Sequence, residues 1–226
     1  MKSLALIVPT RGRPDNIKEL IKALVDTETK DTDLILSLDL DDPELVKYQE
    51  LASQIAHILV APRQGVGSVI PANFAARHLK KDYEYFIMMG DDSRPRTKGW
   101  DKQFIEALAQ LGTGLVYGND LHRGKDLPTG GAAMTGNIVR ALDGVAPPNI
   151  KHLYVDNFYL KLGQDLDAIT YLPEVIIEHL HPVFGTALVD QGYLDVNSQE
   201  MYDHDSMALN NYINSQDYQD LLTKLR

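Results

Sequence analysis

Two adjacent aspartates, Asp91 and Asp92, offer the clearest chemistry in this sequence. They follow Gly90 and the apolar run 85–89, which predicts a buried strand of a parallel sheet. Ligands of open α/β sheets bind beyond the carboxyl ends of the strands, where these carboxylates would lie. Adjacent carboxylates repel each other unless a cation or substrate hydroxyls separate them, and hard divalent cations prefer oxygen ligands. The alternative is a polar loop that caps the next helix, because aspartate is common in turns.

Two histidines and a third aspartate are further candidates for a functional role. His179 and His181 belong to a predicted strand over 175–182, where their spacing of two residues places both on one face. A single histidine there would usually be structural, whereas two of them in a protein without cysteine favour a metal role. Asp156 stands at a predicted helix start, where it could instead serve as the N-cap.

Charged side chains also follow the first two predicted strands. Arg11 and Arg13 lie between a strand and a helix, and the backbone N–H groups of a helix N-terminus favour an anion there. Asp39 and Asp41 follow the second strand and again place carboxylates at a carboxyl end. The alternative for both arginines is a solvated surface position.

The elements that would position these residues alternate along the first hundred residues. The predicted strands are 4–8, 34–38, 58–60 and 85–89, and the predicted helices between them are 17–25, 45–55 and 73–79. This alternation implies a parallel sheet with right-handed crossovers. Further on we predict a helix over 104–111, a strand over 114–118, an irregular loop over 119–136, an edge strand over 169–173 and a helical tail from 198.

Bulk composition limits the classes of protein. The chain of 226 residues is long enough for one domain with a sizeable core, and it contains no cysteine for disulfides or thiolate metal sites. No apolar segment approaches the ~20 residues needed to cross a bilayer, so we expect a cytoplasmic protein. The net charge of −10 argues against binding of nucleic acid through a broad basic surface. A phosphorylated substrate would need a metal or a few placed arginines to offset this charge.

The order of these motifs resembles that of nucleotide-sugar glycosyltransferases with the GT-A fold, in particular small family-2-like members from bacteria and bacteriophages. The residues that carry the resemblance are 7–14, 39–42, Asn73, 90–92, 155–157 and 178–182. The resemblance covers nearly the whole chain. It implies an α/β fold with a mostly parallel, twisted, Rossmann-like sheet flanked by helices, a smaller acceptor-side region and a helical C-terminal tail. The single domain 1–226 would comprise a nucleotide-sugar-binding half (1–100), an acceptor and metal half (101–197) and the tail (198–226).

The resemblance also implies a role for each candidate residue. The nucleotide sugar would contact Pro9, Thr10, Arg11, Arg13, Asp39, Asp41, Arg63, Asn73 and Asp91. Asp92 would bind a divalent cation, Mn²⁺ or Mg²⁺, together with His179 or His181, between which the sequence does not choose. Asp156 would be the general base. One departure is Gly90, which replaces the first acid of the family's D-x-D motif.

The activity implied is transfer of a sugar from a nucleoside-diphosphate sugar, with UDP favoured by family frequency, to an acceptor hydroxyl. Inversion is the favoured outcome, because a single base would act on the face opposite the leaving group. The acceptor is open: a glycan, a small metabolite, or a modified nucleotide or DNA base, in the host cytoplasm if the protein is viral. The oligomeric state is not predicted.

Two alternatives remain at this point. A nucleotidyltransferase shares a similar nucleotide-binding half, but it usually carries a glycine-rich basic loop after the first strand, where this chain has only Gly12 between two arginines. A non-catalytic GT-A binding domain is the other alternative, and Gly90 is the residue that favours it.

Overall fold

The computed structural model describes residues 2–52, 56–61 and 66–226. Within them lie the strands β1 (Lys2–Thr10), β2 (Thr32–Asp39), β3 (Ala56–Ala61), β4 (Tyr83–Met88), β5 (Ser93–Pro95), β6 (Leu115–Asn119), β7 (Ala132–Thr135) and β8 (Ile169–His179). The helices are α1 (Pro14–Asp26), α2 (Leu45–Ala52), α3 (Val69–Leu79), α4 (Trp100–Leu111), α5 (Gly136–Leu142), α6 (Val155–Asp165), α7 (Gln191–Val196), α8 (Gln199–Ile213) and α9 (Gln216–Leu225). Two short 3-10 helices cover Gly124–Asp126 and Pro182–Phe184.

The described strands form one sheet in the order β3-β2-β1-β4-β7-β6-β8-β5. Strands β3, β2, β1 and β4 run parallel, which confirms the prediction for the first half of the chain. Strand β7 runs antiparallel to both β4 and β6, and β5 runs antiparallel to β8. The carboxyl ends of β1, β2 and β4 therefore meet at one edge, beside the end of β8.

The second half of the chain corrects three predictions. The loop predicted over 119–136 contains β7, whose four residues are too few for a periodic signal. The predicted strands 169–173 and 175–182 are one strand, β8, which lies between β6 and β5 and is not an edge strand. Pro173 interrupts the apolar pattern because it sits in a β-bulge, the kind of position where a sheet tolerates proline.

Both faces of the sheet are buried, as expected for parallel strands. Successive residues of β1 alternate between two apolar clusters, with Ala5 and Ile7 in one and Leu4, Leu6 and Val8 in the other. Helices α1 and α4 cover the second cluster. The predicted helical tail is confirmed as α8 and α9, which bury Leu209, Tyr218, Leu221, Leu222 and Leu225 in the first cluster. None of the described helices combines the length and apolar character that a membrane span requires.

Candidate active site

Asp91 anchors the loop that follows β1. Its Oδ2 accepts a hydrogen bond from Thr10 Oγ1 (2.6 Å), and its Oδ1 accepts from Asn16 Nδ2 (3.2 Å) and Arg13 Nη1 (3.4 Å). Burial and the neighbouring Asp92 raise the pKa of Asp91, while the arginine opposes this rise. Because both carboxylate oxygens already accept from protein donors, Asp91 joins the end of β4 to the β1–α1 loop.

Arg11 meets both acids that were predicted after β2. Its Nη1 lies 2.7 Å from Asp41 Oδ1 and 3.2 Å from Asp39 Oδ2. These hydrogen bonds raise the pKa of Arg11. A third acid, Asp42, is buried and accepts from the backbone N–H of Gly12 (3.1 Å). The ends of β1 and β2 thus carry one connected set of charged side chains, and Pro9 in β1 is buried.

Arg13 reaches a residue that the sequence did not single out. Its Nε and Nη2 donate to the carboxylate of Asp190 at 2.7 and 2.6 Å, while Nη1 faces Asp91. Burial lowers the pKa of Arg13, but Asp190 and Asp91 outweigh burial and raise it. Asp190 is also the N-cap of α7 through the N–H of Tyr193 (2.7 Å). Its partner lies 177 residues away along the chain, so sequence spacing carries no sign of the pair.

Asp92 faces His179 across the β5–β8 pair. The carboxylate Oδ1 lies 3.7 Å from His179 Nε2, and Ser93 stands opposite His179 in the strand register. Burial raises the pKa of Asp92, but His179 outweighs burial and lowers it. Burial likewise lowers the pKa of His179, and Asp92 reverses that effect, so this pKa is raised overall. The two groups therefore stabilise each other's charged forms.

His181 lies next to His179 but outside the strand. Strand β8 ends at His179, and His181 is the N-cap of the 3-10 helix Pro182–Phe184, where its Nδ1 accepts from Val183 N–H (3.3 Å). The predicted placement of both histidines on one strand face is therefore wrong for His181. The two ring centroids are nevertheless 5.2 Å apart.

Three buried polar side-chain atoms have no hydrogen-bond partner in the part of the chain that the structure describes: Ser93 Oγ, His122 Nε2 and His179 Nδ1. Ser93 follows Asp92 in the chain, and His179 faces it. Native proteins pair nearly all such atoms, and exceptions often mark ligand sites. Over the same residues, no three histidine or acidic side chains come together closely enough to hold a metal by themselves. Asp92 and His179 are thus the pair on which a metal could depend.

Asp156 lies in the first turn of α6 and is not its N-cap, which is Tyr154. Its Oδ1 accepts from the N–H of Asn157 (3.0 Å). Burial raises the pKa of Asp156, and the charges of His179 and Arg123 act in the opposite direction. This carboxylate therefore lies within electrostatic reach of the Asp92–His179 pair.

One predicted donor contact, Asn73, bonds to a different part of the fold. Asn73 is 3% exposed, and its amide bonds to the backbone of Val145 and Ala146 at 2.8 to 3.1 Å. It therefore ties α3 to that segment, a contact that the sequence does not reveal. Arg63 lies outside the described residues.

Sequence reasoning missed two side chains near the site. His152 Nδ1 lies 2.9 Å from Ser68 Oγ, and burial lowers its pKa to about 4, so the ring is neutral at physiological pH. Asp120 Oδ1 accepts three backbone N–H groups from residues 122–124 and thereby shapes the loop that carries His122. The available signal was an aspartate before a glycine-containing turn. For His152 there was none.

Comparison with known proteins identifies the family. Residues 5–156, about two thirds of the chain, match the model of glycosyl transferase family 2. The chain belongs to glycosyl transferase family 2. It is therefore a glycosyltransferase, which argues against the nucleotidyltransferase alternative. Among curated proteins, none matches this chain.

Solved structures confirm the GT-A fold for this family-2 glycosyltransferase. TarS 1–349 of S. aureus, in complex with UDP-GlcNAc, is 12% identical and superposes with a TM-score of 0.68 over 99% of this chain and 71% of its own. The mannosyltransferase PcManGT of Pyrobaculum calidifontis, in complex with GDP-Man and Mn²⁺, is 15% identical, with a TM-score of 0.63 over 98% and 68%. Glucosyl-3-phosphoglycerate synthase of Mycobacterium tuberculosis, in complex with Mn²⁺, UDP and glucosyl-3-phosphoglycerate, is 14% identical, with a TM-score of 0.59 over 92% and 78%.

Gly90, the departure from the D-x-D pattern, has a steric basis in this glycosyltransferase. A Cβ at this position would lie 2.3 Å from Asp92 Oδ1. We expect Gly90→Ala to fold normally, because the short carboxylate can rotate away, but to lose the alignment of Asp92 with His179. On the prediction that Asp92 and His179 bind a divalent cation, the affinity for Mn²⁺ should fall about 10- to 100-fold, as for other changes to groups that orient metal ligands. Calorimetric titration of Mn²⁺ in the presence of nucleotide measures this, and unchanged affinity would contradict it.

Proposed function

We propose that this chain is a divalent-metal-dependent transferase that moves a sugar from a nucleoside-diphosphate sugar, with UDP the favoured nucleotide, to an acceptor hydroxyl with inversion. The observation that carries the proposal is the Asp92–His179 pair at the carboxyl edge of the sheet. The donor class is supported by the structural neighbours in complex with UDP-GlcNAc and with GDP-Man and Mn²⁺.

The Asp92–His179 pair has the chemistry of two ligands to one divalent ion. Their separation of 3.7 Å is too long for a hydrogen bond. A carboxylate oxygen and an imidazole nitrogen that face each other in this way would be the groups that hold the ion. With two protein ligands among the described residues, coordination positions would remain for phosphate oxygens and water, which suits Mg²⁺ or Mn²⁺ on a nucleotide. The bound ion would act as a Lewis acid that neutralises the leaving diphosphate.

Arg11 and Arg13 supply hydrogen-bond donors on the same edge as Asp92. Asp39 and Asp41 orient Arg11, while Asp91 and Asp190 orient Arg13. Each guanidinium keeps donors that a phosphate or a base can approach, because an arginine has five N–H groups. Since each arginine already pairs with two acids, the bound cation would supply most of the charge that offsets repulsion of the diphosphate in a chain of net charge −10.

Asp156 fits the role of general base. Burial makes its carboxylate more basic than an exposed aspartate, which favours proton uptake from a hydroxyl. The deprotonated acceptor oxygen would attack the anomeric carbon opposite the departing nucleoside diphosphate. Asp156 retains the proton, and the configuration at that carbon inverts.

Calorimetry tests the donor half of this proposal. We expect one nucleoside diphosphate, among UDP, GDP, ADP and dTDP, to bind with Mn²⁺ and to bind much more weakly in EDTA. Incubation with the corresponding nucleotide sugars should release nucleoside diphosphate and not pyrophosphate. Absence of nucleotide binding under both conditions would overturn the proposal.

Metal affinity should depend on pH through His179. A metal binds neutral imidazole, so protons compete with Mn²⁺ for Nε2. Because Asp92 raises the pKa of His179, this competition should begin at a higher pH than for an isolated histidine. Manganese affinity is therefore expected to fall as the pH is lowered from about 8 to about 6. Titration at several pH values measures the effect, and His179→Gln should flatten the dependence.

A further inference from the structure

The C-terminal tail, residues 198–226, reaches the site through a buried carboxylate. Asp205 on α8 is 0% exposed, and it lies beyond the family match, which ends at residue 156. Its Oδ1 accepts from Lys151 N–H (3.0 Å), and its Oδ2 accepts from His152 N–H (2.8 Å) and Leu153 N–H (2.7 Å). Burial raises the pKa of Asp205, but these N–H groups and His204 outweigh burial and lower it. The tail therefore contributes an ionised carboxylate that accepts hydrogen bonds from three consecutive backbone N–H groups.

The segment 151–154 held by Asp205 contacts the start of α3. Val69 N–H donates to the carbonyl of Lys151 (3.0 Å), and the ring of His152 meets Ser68. The two segments are so close that a Cβ on Gly67 would lie 2.2 Å from the Lys151 carbonyl oxygen. Close contact with residues 67–69 therefore leaves segment 151–154 little room to move toward α3.

On its other side, segment 151–154 leads directly into α6 and Asp156. Tyr154, the N-cap of this helix, has φ of 63°, a left-handed conformation that is strained for a bulky residue. Such strain persists only where the surroundings fix it. Asp205 fixes the three preceding residues, and the ring of Tyr202, one turn earlier on α8, packs edge-on against Tyr154 with centroids 6.4 Å apart.

We propose that Asp205 is a positioning residue for glycosyl transfer. It acts through segment 151–154, which sets the start of α6 and with it the place of the Asp156 carboxylate. The C-terminal tail is then part of the active site and not only a cover for the core. This inference rests on the proposed role of Asp156 as the general base.

Hydrogen–deuterium exchange of the ligand-free full chain tests the positioning step without any substrate. In Asp205→Asn one acceptor oxygen becomes an NH₂ group that faces backbone donors, so at least one of the three hydrogen bonds is lost. Exchange of the peptide 150–157 is expected to rise at least about tenfold, while peptides from α1 stay unchanged. Asp203→Asn is the matched control, because Asp203 is exposed on the same helix and accepts only from Gln199 among its described hydrogen bonds.

Kinetics test the catalytic consequence, with nucleoside diphosphate release from the nucleotide sugar as the assay. In Asp205→Asn, kcat should fall by up to about 100-fold, as for a misplacement of about 1 Å, while KM for the donor stays near the wild-type value. The acid limb of the pH profile should also move, because the surroundings of Asp156 change. A purely structural role would lower the amount of folded protein and leave these properties of the folded fraction alone.

The outcomes separate the two proposals. Unchanged exchange at 150–157, exchange that rises equally throughout the chain, or wild-type kcat would each overturn the role of Asp205. If Asp205→Asn fails to fold, Tyr202→Ala removes the ring that packs on Tyr154 from a half-exposed position and should raise exchange in the same peptide. If wild type releases no nucleotide, the proposed function fails, and the exchange result still decides whether the tail holds segment 151–154.

Discussion

Replacing Asp92 with alanine is expected to lower the rate of nucleoside diphosphate release about 1,000-fold and to abolish the manganese dependence of nucleotide binding. Among the described residues, Asp92 and His179 are the two proposed protein ligands, so removal of one would halve the protein coordination of the ion. Lewis-acid stabilisation of a leaving group lowers the activation barrier by several kcal/mol, and the loss of about 4 kcal/mol corresponds to a factor of this size in rate. Calorimetry with and without Mn²⁺, followed by turnover with the donor that binds, measures both effects.

Variants at His179 and Asp15 are the comparisons for Asp92→Ala. His179→Ala removes the other ligand, and the double variant should be no worse than either single one, because both act through one ion. Asp15→Ala is the matched control. It removes an exposed carboxylate at the start of α1 that pairs with Lys18, and such surface ion pairs contribute little to stability. If the effects of Asp92→Ala and His179→Ala multiplied in full, a shared ion would be contradicted.

Asp156→Asn is expected to lower kcat about 1,000-fold while leaving manganese-dependent nucleotide binding within about twofold of wild type. The amide preserves the shape of the side chain and its hydrogen bond from Asn157, but it accepts no proton. Asp126→Asn, at an exposed position in the loop after β6, is the control. Loss of nucleotide binding in Asp156→Asn would indicate a structural role and would contradict the assignment as base.

The pH profile gives a second signature of Asp156. A base acts only when ionised, so kcat/KM should fall as the pH drops through the pKa of the carboxyl in the free enzyme. Because burial raises this pKa, the fall should occur at a higher pH than for an ordinary aspartate. Asp156→Asn should lose this limb, and a profile that keeps it would assign the titration to another group.

The sequence predicted the position of this site better than the partners of its residues. Continuous apolar runs followed by charged residues were enough to place Asp39, Asp91 and Asp92 at one edge of a parallel sheet. The same pattern made Asp91 and Asp92 equivalent. In the structure, Asp91 bonds to Thr10, Asn16 and Arg13, whereas Asp92 faces His179. These partners are distant in the chain, so the topology of the fold and not the local sequence pattern determines the contacts.

Short strands and distant contacts were also beyond what could be predicted from the sequence. Strands β5 and β7 have three and four residues, too few to show alternation, yet β5 sets the register that brings Ser93 opposite His179. The buried contact of Asp205 with segment 151–154 was equally invisible, because an aspartate amid polar residues on a helix suggests a solvated face. In each case the decisive partner is distant in the chain.

The Arg13–Asp190 ion pair also has a consequence for biosynthesis. A ribosome adds about 5–20 residues per second, and Arg13 must wait for a partner 177 positions later. The β1–α1 loop therefore leaves the ribosome long before the acid that pairs with its arginine, and Arg13 lacks this partner during most of elongation. Because contacts of such long range also form slowly, the surroundings of Arg13 should be among the last regions to mature, after the parallel half of the sheet.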